Sequence, residues 1–166
     1  MKVLEGRVWR FGDDVDTDLI VPGRYLMYDV PEIARYVMEG TRPGFADLVK
    51  QGDVIVAGDN FGSGSSREVA ARALREAGII AVVAKSFSRI FFRNSINVGL
   101  VPVECPDAGV IEEGQTVRID IDLGEIMIVD TGNRLASRSL PSEVAAIMEA
   151  GGLVDFLKTR IAGVGP

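Results

Sequence analysis

Histidine is absent from the 166 residues, and cysteine occurs once, as Cys105. A single thiol cannot form an internal disulfide. Zinc sites and iron–sulfur clusters need several Cys or His ligands, so this chain builds neither alone. Histidine-dependent triads are excluded as well. Acid–base work falls to Asp, Glu, Lys, Tyr, Ser or a partner chain. Cys105 closes the run Leu100-Val-Pro-Val-Glu104 and reads as a small buried residue. Basic residues are also short, 18 Lys+Arg against 24 Asp+Glu, for a formal charge of −6. Nucleic acid and anionic membranes are therefore poor partners. No apolar run approaches the roughly 20 residues of a membrane span. The opening Met1-Lys-Val-Leu-Glu-Gly-Arg7 lacks the apolar stretch of a secretory leader, so a cytoplasmic location is expected.

What is present is ordinary for a globular domain, with 47% apolar residues. The length suits one domain over residues 1–166 with a real core. Val3 to Phe11 reads as a strand, followed by a polar turn from Gly12 to Asp18. Leu19-Ile-Val21 is short and apolar and stops at Pro22-Gly23. Helices are expected over Pro31–Met38 and, shorter, over Gly44–Lys50. Then come strand Asp53–Gly58, helix Ser66–Ala77, strand Ile79–Ala84, helix Phe87–Asn97 and strand Leu100–Val103. These strands are apolar on both faces, which implies parallel pairing under helices with right-handed crossovers. The tail alternates instead. Val117 to Asp122, a Leu123-Gly124 turn and Glu125 to Asp130 make a β-hairpin with one wet face. Helices Ser142–Ala150 and Leu153–Ile161 close the chain. The fold class is α/β, with a mostly parallel central sheet and a C-terminal hairpin.

The most informative stretch is Gly58-Asp-Asn-Phe-Gly-Ser-Gly-Ser-Ser-Arg-Glu68, at a strand-to-helix turn. Such a turn aims backbone N–H groups and a helix dipole at an anion, and Arg67 suits a carboxylate or phosphate. A Walker loop is excluded, because no Lys lies between Lys50 and Lys85. A dinucleotide fingerprint fails where Arg67 stands in place of the third glycine. Ser65-x-x-Glu68 also has the form of a capping box, which accounts for those two residues without any ligand. The residues alone leave a helix cap and an anion site both open.

With Ala84-Lys-Ser-Phe-Ser-Arg-Ile-Phe-Phe-Arg-Asn94, Gly99-Leu-Val-Pro102 and Asp16-Thr-Asp18 leading to Pro22-Gly23-Arg24-Tyr25, the stretch resembles the swivelling C-terminal domain of the aconitase superfamily. Order and spacing of the four blocks agree over roughly residues 5 to 160. The resemblance implies a swivelling β/β/α domain. In free-chain form it implies the small subunit of a hydro-lyase, with a separate aconitase-like large subunit in a heterodimer or heterotetramer. The partner would carry the [4Fe–4S] cluster, and this chain would hold no cofactor and no metal. The substrate would be a small hydroxy-dicarboxylate.

By resemblance, Ser65 is the catalytic base, acting as an alkoxide. Ser66 and Arg67 grip a substrate carboxylate, and Asp18 belongs to the same polar site. Asp16 is readable as an Asx-turn residue. Lys85, Arg89 and Arg93 read as support or interface residues. Substrate choice falls on Leu26 and Met27 in Tyr25-Leu-Met-Tyr28. Homoaconitase-type chains resemble Tyr-Leu-Arg-Thr here, and their arginine takes a distal carboxylate. Met27 packs against an alkyl group instead, which favours isopropylmalate over homoaconitate or a citraconate- or dimethylmalate-type substrate. Val69 stands where many relatives carry histidine. A non-catalytic anion-binding regulatory module is the alternative from another class.

Overall fold

The computed structural model describes residues 3–163. Met1 and Lys2, on which part of the leader argument rests, lie outside them, as do residues 164–166. In chain order the elements are β1 (Val3–Arg10), α1 (Thr17–Ile20), α2 (Val30–Ile33), α3 (Phe45–Leu48), β2 (Val54–Ala57), α4 (Glu68–Ala77), β3 (Ala81–Ala84) and α5 (Arg89–Val98). Then follow β4 (Val101–Glu104), β5 (Thr116–Asp120), β6 (Glu125–Ile128), β7 (Arg134–Ala136), α6 (Ser142–Glu149) and α7 (Leu153–Gly163). Single 3-10 turns occupy Gly23–Tyr25, Ala34–Tyr36 and Ala108–Val110.

Seven strands form one sheet in the order β4-β3-β2-β1-β5-β6-β7. The expected parallel centre is present: β1, β2, β3 and β4 pair in parallel, with Val54 opposite Ala81 and Ala81 opposite Val101. β5 runs antiparallel to β1, and β5 and β6 pair antiparallel across Leu123–Gly124. Side chains alternate between the faces of a strand. Ile55, Ala57, Val82 and Ala84 therefore enter one core, under α4 and α5, with Leu74 and Phe91. Val54, Val56, Ala81 and Val83 enter the other, with Ile119, Ile126 and Met148. Cys105 is buried in that second core, and its thiol donates to the Ala136 carbonyl.

Two local expectations are corrected, and one strand is present that the sequence did not announce. The helix over Pro31–Met38 is α2 plus a 3-10 turn, because Met38 takes φ +59° and its N–H bonds the Ile20 carbonyl at 2.9 Å. That long-range bond outcompetes a further helical turn. The polar turn ends early, because the Asp16 carboxylate accepts the Leu19 N–H at 2.8 Å and starts α1 at Thr17. The strand β7 carries no periodic signal in its three residues, yet it extends the hairpin by pairing with β6.

Candidate functional site

Parallel strands deliver their following loops to one edge of the sheet, where α/β folds bind ligands. Here the loops after β1, β2 and β3 are zipped together by backbone bonds. The Gly62 N–H reaches the Val15 carbonyl at 2.7 Å, and the Thr17 N–H reaches the Ser63 carbonyl at 2.8 Å. On the other side the Phe61 N–H bonds the Ser86 carbonyl at 3.0 Å, and the Ser88 N–H bonds the Phe61 carbonyl at 3.0 Å. Ser88 also caps α5, accepting the Phe91 N–H at 3.2 Å, and its hydroxyl donates to the Gly62 carbonyl at 2.7 Å. The middle loop is thus held from both flanks.

Two glycines make this packing possible. Gly62 has φ +79°, and a Cβ there would lie 2.1 Å from Cγ of the buried Phe91. Gly64 has φ +98°, and its Cβ would sit 3.2 Å from the Thr17 hydroxyl. The glycine spacing that resembled a nucleotide loop serves close approach of three loops instead.

Ser65 does not cap its helix. α4 begins at Glu68, its N-cap is Arg67, and no side chain caps it. Glu68 turns to Arg72 one helical turn on. The capping-box reading is therefore wrong, and the reason lies in the first loop. Thr17 Oγ1 accepts the Ser65 N–H at 3.2 Å and lies 3.1 Å from Ser65 Oγ. Thr17 is 2% exposed, while Ser65 is open to solvent. Either hydroxyl can donate across this contact, and with Ser65 deprotonated the Thr17 O–H is the donor and Ser65 Oγ the acceptor. Thr17 was missed in the sequence: Asp16-Thr-Asp18 marked its neighbourhood, but nothing local marks a contact 48 residues away.

Arg67 meets Asp18 at 2.6 Å, joining two residues singled out separately. A guanidinium has five donors, so this pair orients the fork and leaves others available. Ser66 is exposed, and neither it nor Gly64 donates an N–H to any described residue. Four candidate residues, Ser65, Ser66, Arg67 and Asp18, thus share one edge.

Leu26 and Met27 lie on the loop that follows α1. They follow the 3-10 turn Gly23–Tyr25 and are 37% and 82% exposed, so Met27 does not serve loop packing. The foot of that loop is firm. Tyr25 stacks on Tyr36 with centroids 4.1 Å apart and donates its phenol to Glu39, whose carboxylate raises the phenol pKa. Lys85 lies against Gly109, beyond β4. Arg89 and Arg93 are exposed on α5.

The residues of this chain do not fit an iron–sulfur cluster. Its one thiol is buried in the second core, and burial raises the thiol pKa, opposing the thiolate a metal needs. Among the described residues, no three of His, Cys, Asp and Glu gather as a metal site. Among them also, no helix is long and apolar enough to cross a membrane.

Residues 33–108 match the aconitase C-terminal domain family. The 3-isopropylmalate dehydratase small subunit of Methanosarcina acetivorans is 46% identical over 160 residues, 96% of this chain and 99% of that protein. The methanogen homoaconitase small subunit of Methanothermobacter thermautotrophicus is 49% identical over 164 residues, 98% and 95% of the two chains. The crystal structure of a 3-isopropylmalate dehydratase from Methanocaldococcus jannaschii superposes with a TM-score of 0.91 at 48% identity, covering 97% of this chain and 96% of that one. The Thr17–Ser65 and Asp18–Arg67 contacts therefore sit on a known scaffold, and the chain belongs to the aconitase-superfamily small subunits of the 3-isopropylmalate dehydratase type.

Proposed function

We propose that this chain is the small subunit of a 3-isopropylmalate dehydratase. With a large subunit it interconverts 2-isopropylmalate and 3-isopropylmalate by dehydration and rehydration. The observation that carries this reading is the Ser65 hydroxyl, which is engaged by Thr17 at 3.1 Å and leaves its own helix uncapped.

Ser65 Oγ takes the proton from the carbon next to a substrate carboxylate and returns it when water adds back. A serine is ordinarily far too weak an acid to supply an alkoxide. The Thr17 O–H, donating to the oxygen, and the nearby unpaired N–H of Ser66 favour its anion. Arg67 binds the substrate carboxylate with donors that Asp18 leaves free, and the Ser66 hydroxyl joins it. Asp18, paired with Arg67 at 2.6 Å, orients the guanidinium at the site. Departure of hydroxide needs a Lewis acid. In this reading that is a [4Fe–4S] cluster held by the large subunit.

Met27 supports isopropylmalate over homoaconitate. An exposed apolar tip offers an isopropyl group a surface and offers a third carboxylate no partner. The rival reading draws on the 49% identity to a homoaconitase small subunit. Reconstitution with the cognate large subunit separates the two. The assembled enzyme is expected to prefer isopropylmalate to homoaconitate by at least about tenfold in kcat/KM, roughly 1.4 kcal/mol. The reverse preference, or turnover by this chain alone, refutes the proposal.

A further inference from the structure

A groove of about 820 Å³ opens between α5 and the segment that follows β7. Its charges are Arg89, Arg93 and Arg138 against Glu104 alone. Arg138 pairs with Glu104 at 3.3 Å. Arg89 and Arg93 are exposed and form no ion pair among the described residues. Two uncompensated cations thus face one groove in a chain of net charge −6.

Helix stability gives no reason for them. Arg89 stands in the first turn of α5, where the dipole disfavours a cation. Arg93 lies one turn on, and like charges at this spacing repel. A sequence that breaks two local rules side by side is responding to something outside the helix.

The apolar wall identifies the kind of occupant. Phe87, Phe92, Leu140 and Pro141 line the groove between the arginines. Arginine with aromatic and aliphatic surface is the composition of a protein interface. The groove also continues the Ser65 edge. Phe87 forms a bridge with Phe61, and Ser88 holds the Gly62 carbonyl at 2.7 Å. A partner that completes chemistry at Ser65 has to cover this edge.

We propose that the groove docks the large subunit, through a segment that presents two or more carboxylates beside an apolar side chain. This rests on the two-chain reading above and assigns it a surface. The test is the dissociation constant of the cognate large subunit, by titration calorimetry at low and high salt. It compares wild type with Arg89→Glu, Arg93→Glu and the double change, and with Lys158→Glu as a charge-matched control. Lys158 is exposed on α7, away from the groove.

Each single reversal is expected to weaken binding by about tenfold or more, and the double by about 10²-fold or more, with differences shrinking at high salt. At saturating large subunit, kcat stays within about threefold of wild type. Lys158→Glu leaves affinity within about twofold. Leu140→Asp, which removes the apolar anchor and no arginine, is expected to weaken binding as well. Affinities for the reversals equal to that of Lys158→Glu overturn the dock. Unchanged affinity with a raised KM overturns it in favour of a substrate subsite. A complex that forms normally but does not turn over isopropylmalate refutes the proposed function and leaves the dock standing.

Discussion

Thr17→Val isolates the contact that distinguishes a catalytic from a capping serine. Valine keeps the shape of Thr17, a residue 2% exposed, and deletes its hydroxyl, which contacts Ser65 Oγ at 3.1 Å and the Ser65 N–H at 3.2 Å. On folding the loss is small. Ser65 faces solvent, so its N–H finds water, and about 1 kcal/mol is forfeited. For a chain of this size that lowers Tm by roughly 2–4 °C. On catalysis the loss is larger, because the bond to an alkoxide is charge-assisted and worth about 1.5–3 kcal/mol. That corresponds to roughly 10- to 150-fold in kcat.

The same free energy raises the pKa of the Ser65 hydroxyl. The ascending limb of the kcat–pH profile is then expected to move up by about 1–2 pH units, at 1.36 kcal/mol per unit. Thr17→Ser keeps the hydroxyl and is expected to restore most of kcat and the limb's position. The assay is steady-state turnover of isopropylmalate across pH, with each variant assembled on the same large subunit. A Thr17→Val enzyme that melts lower but keeps kcat within about threefold, with an unmoved pH limb, refutes the reasoning.

Gly62→Ala forces a Cβ to 2.1 Å from Phe91 Cγ at a φ of +79°, and strain plus overpacking of about 2–4 kcal/mol should lower Tm by roughly 4–16 °C in a thermal melt. Arg67→Lys keeps the charge and loses the fork that holds Asp18 and, in the proposed reading, the substrate carboxylate, so KM should rise at least about tenfold with a smaller change in kcat. Met27→Arg adds a cation to an exposed apolar tip and should shift the kcat/KM ratio toward homoaconitate by one to a few powers of ten, roughly 1.5–3 kcal/mol or more. A ratio unchanged within about twofold, under 0.5 kcal/mol, removes the loop from substrate choice.

The parallel centre was readable because β2 and β3 are buried on both faces. Four consecutive apolar residues between turn signals suit a covered strand and are too few for a buried helix. Ser65 and Arg67 were visible for their company of glycines at a strand-to-helix turn. What they do was not. Ser65-x-x-Glu68 matches a local capping rule, and only Thr17, brought over by pairing of the first two loops, shows that the rule is overridden. Met38 is the same lesson in the fold, since a distant carbonyl on Ile20 ends a helix that local propensity would continue. Asp18 and Arg67 could be nominated separately, but their pairing at 2.6 Å lives entirely in tertiary structure.

Ser65→Ala in the reconstituted complex is the most direct test. Because α4 is not capped by Ser65, the variant should fold, melt within about 1 kcal/mol of wild type and bind the large subunit normally. Its kcat on isopropylmalate should fall by at least about 10²-fold. A Ser65→Ala complex that assembles and keeps near-normal kcat contradicts the assignment of the base.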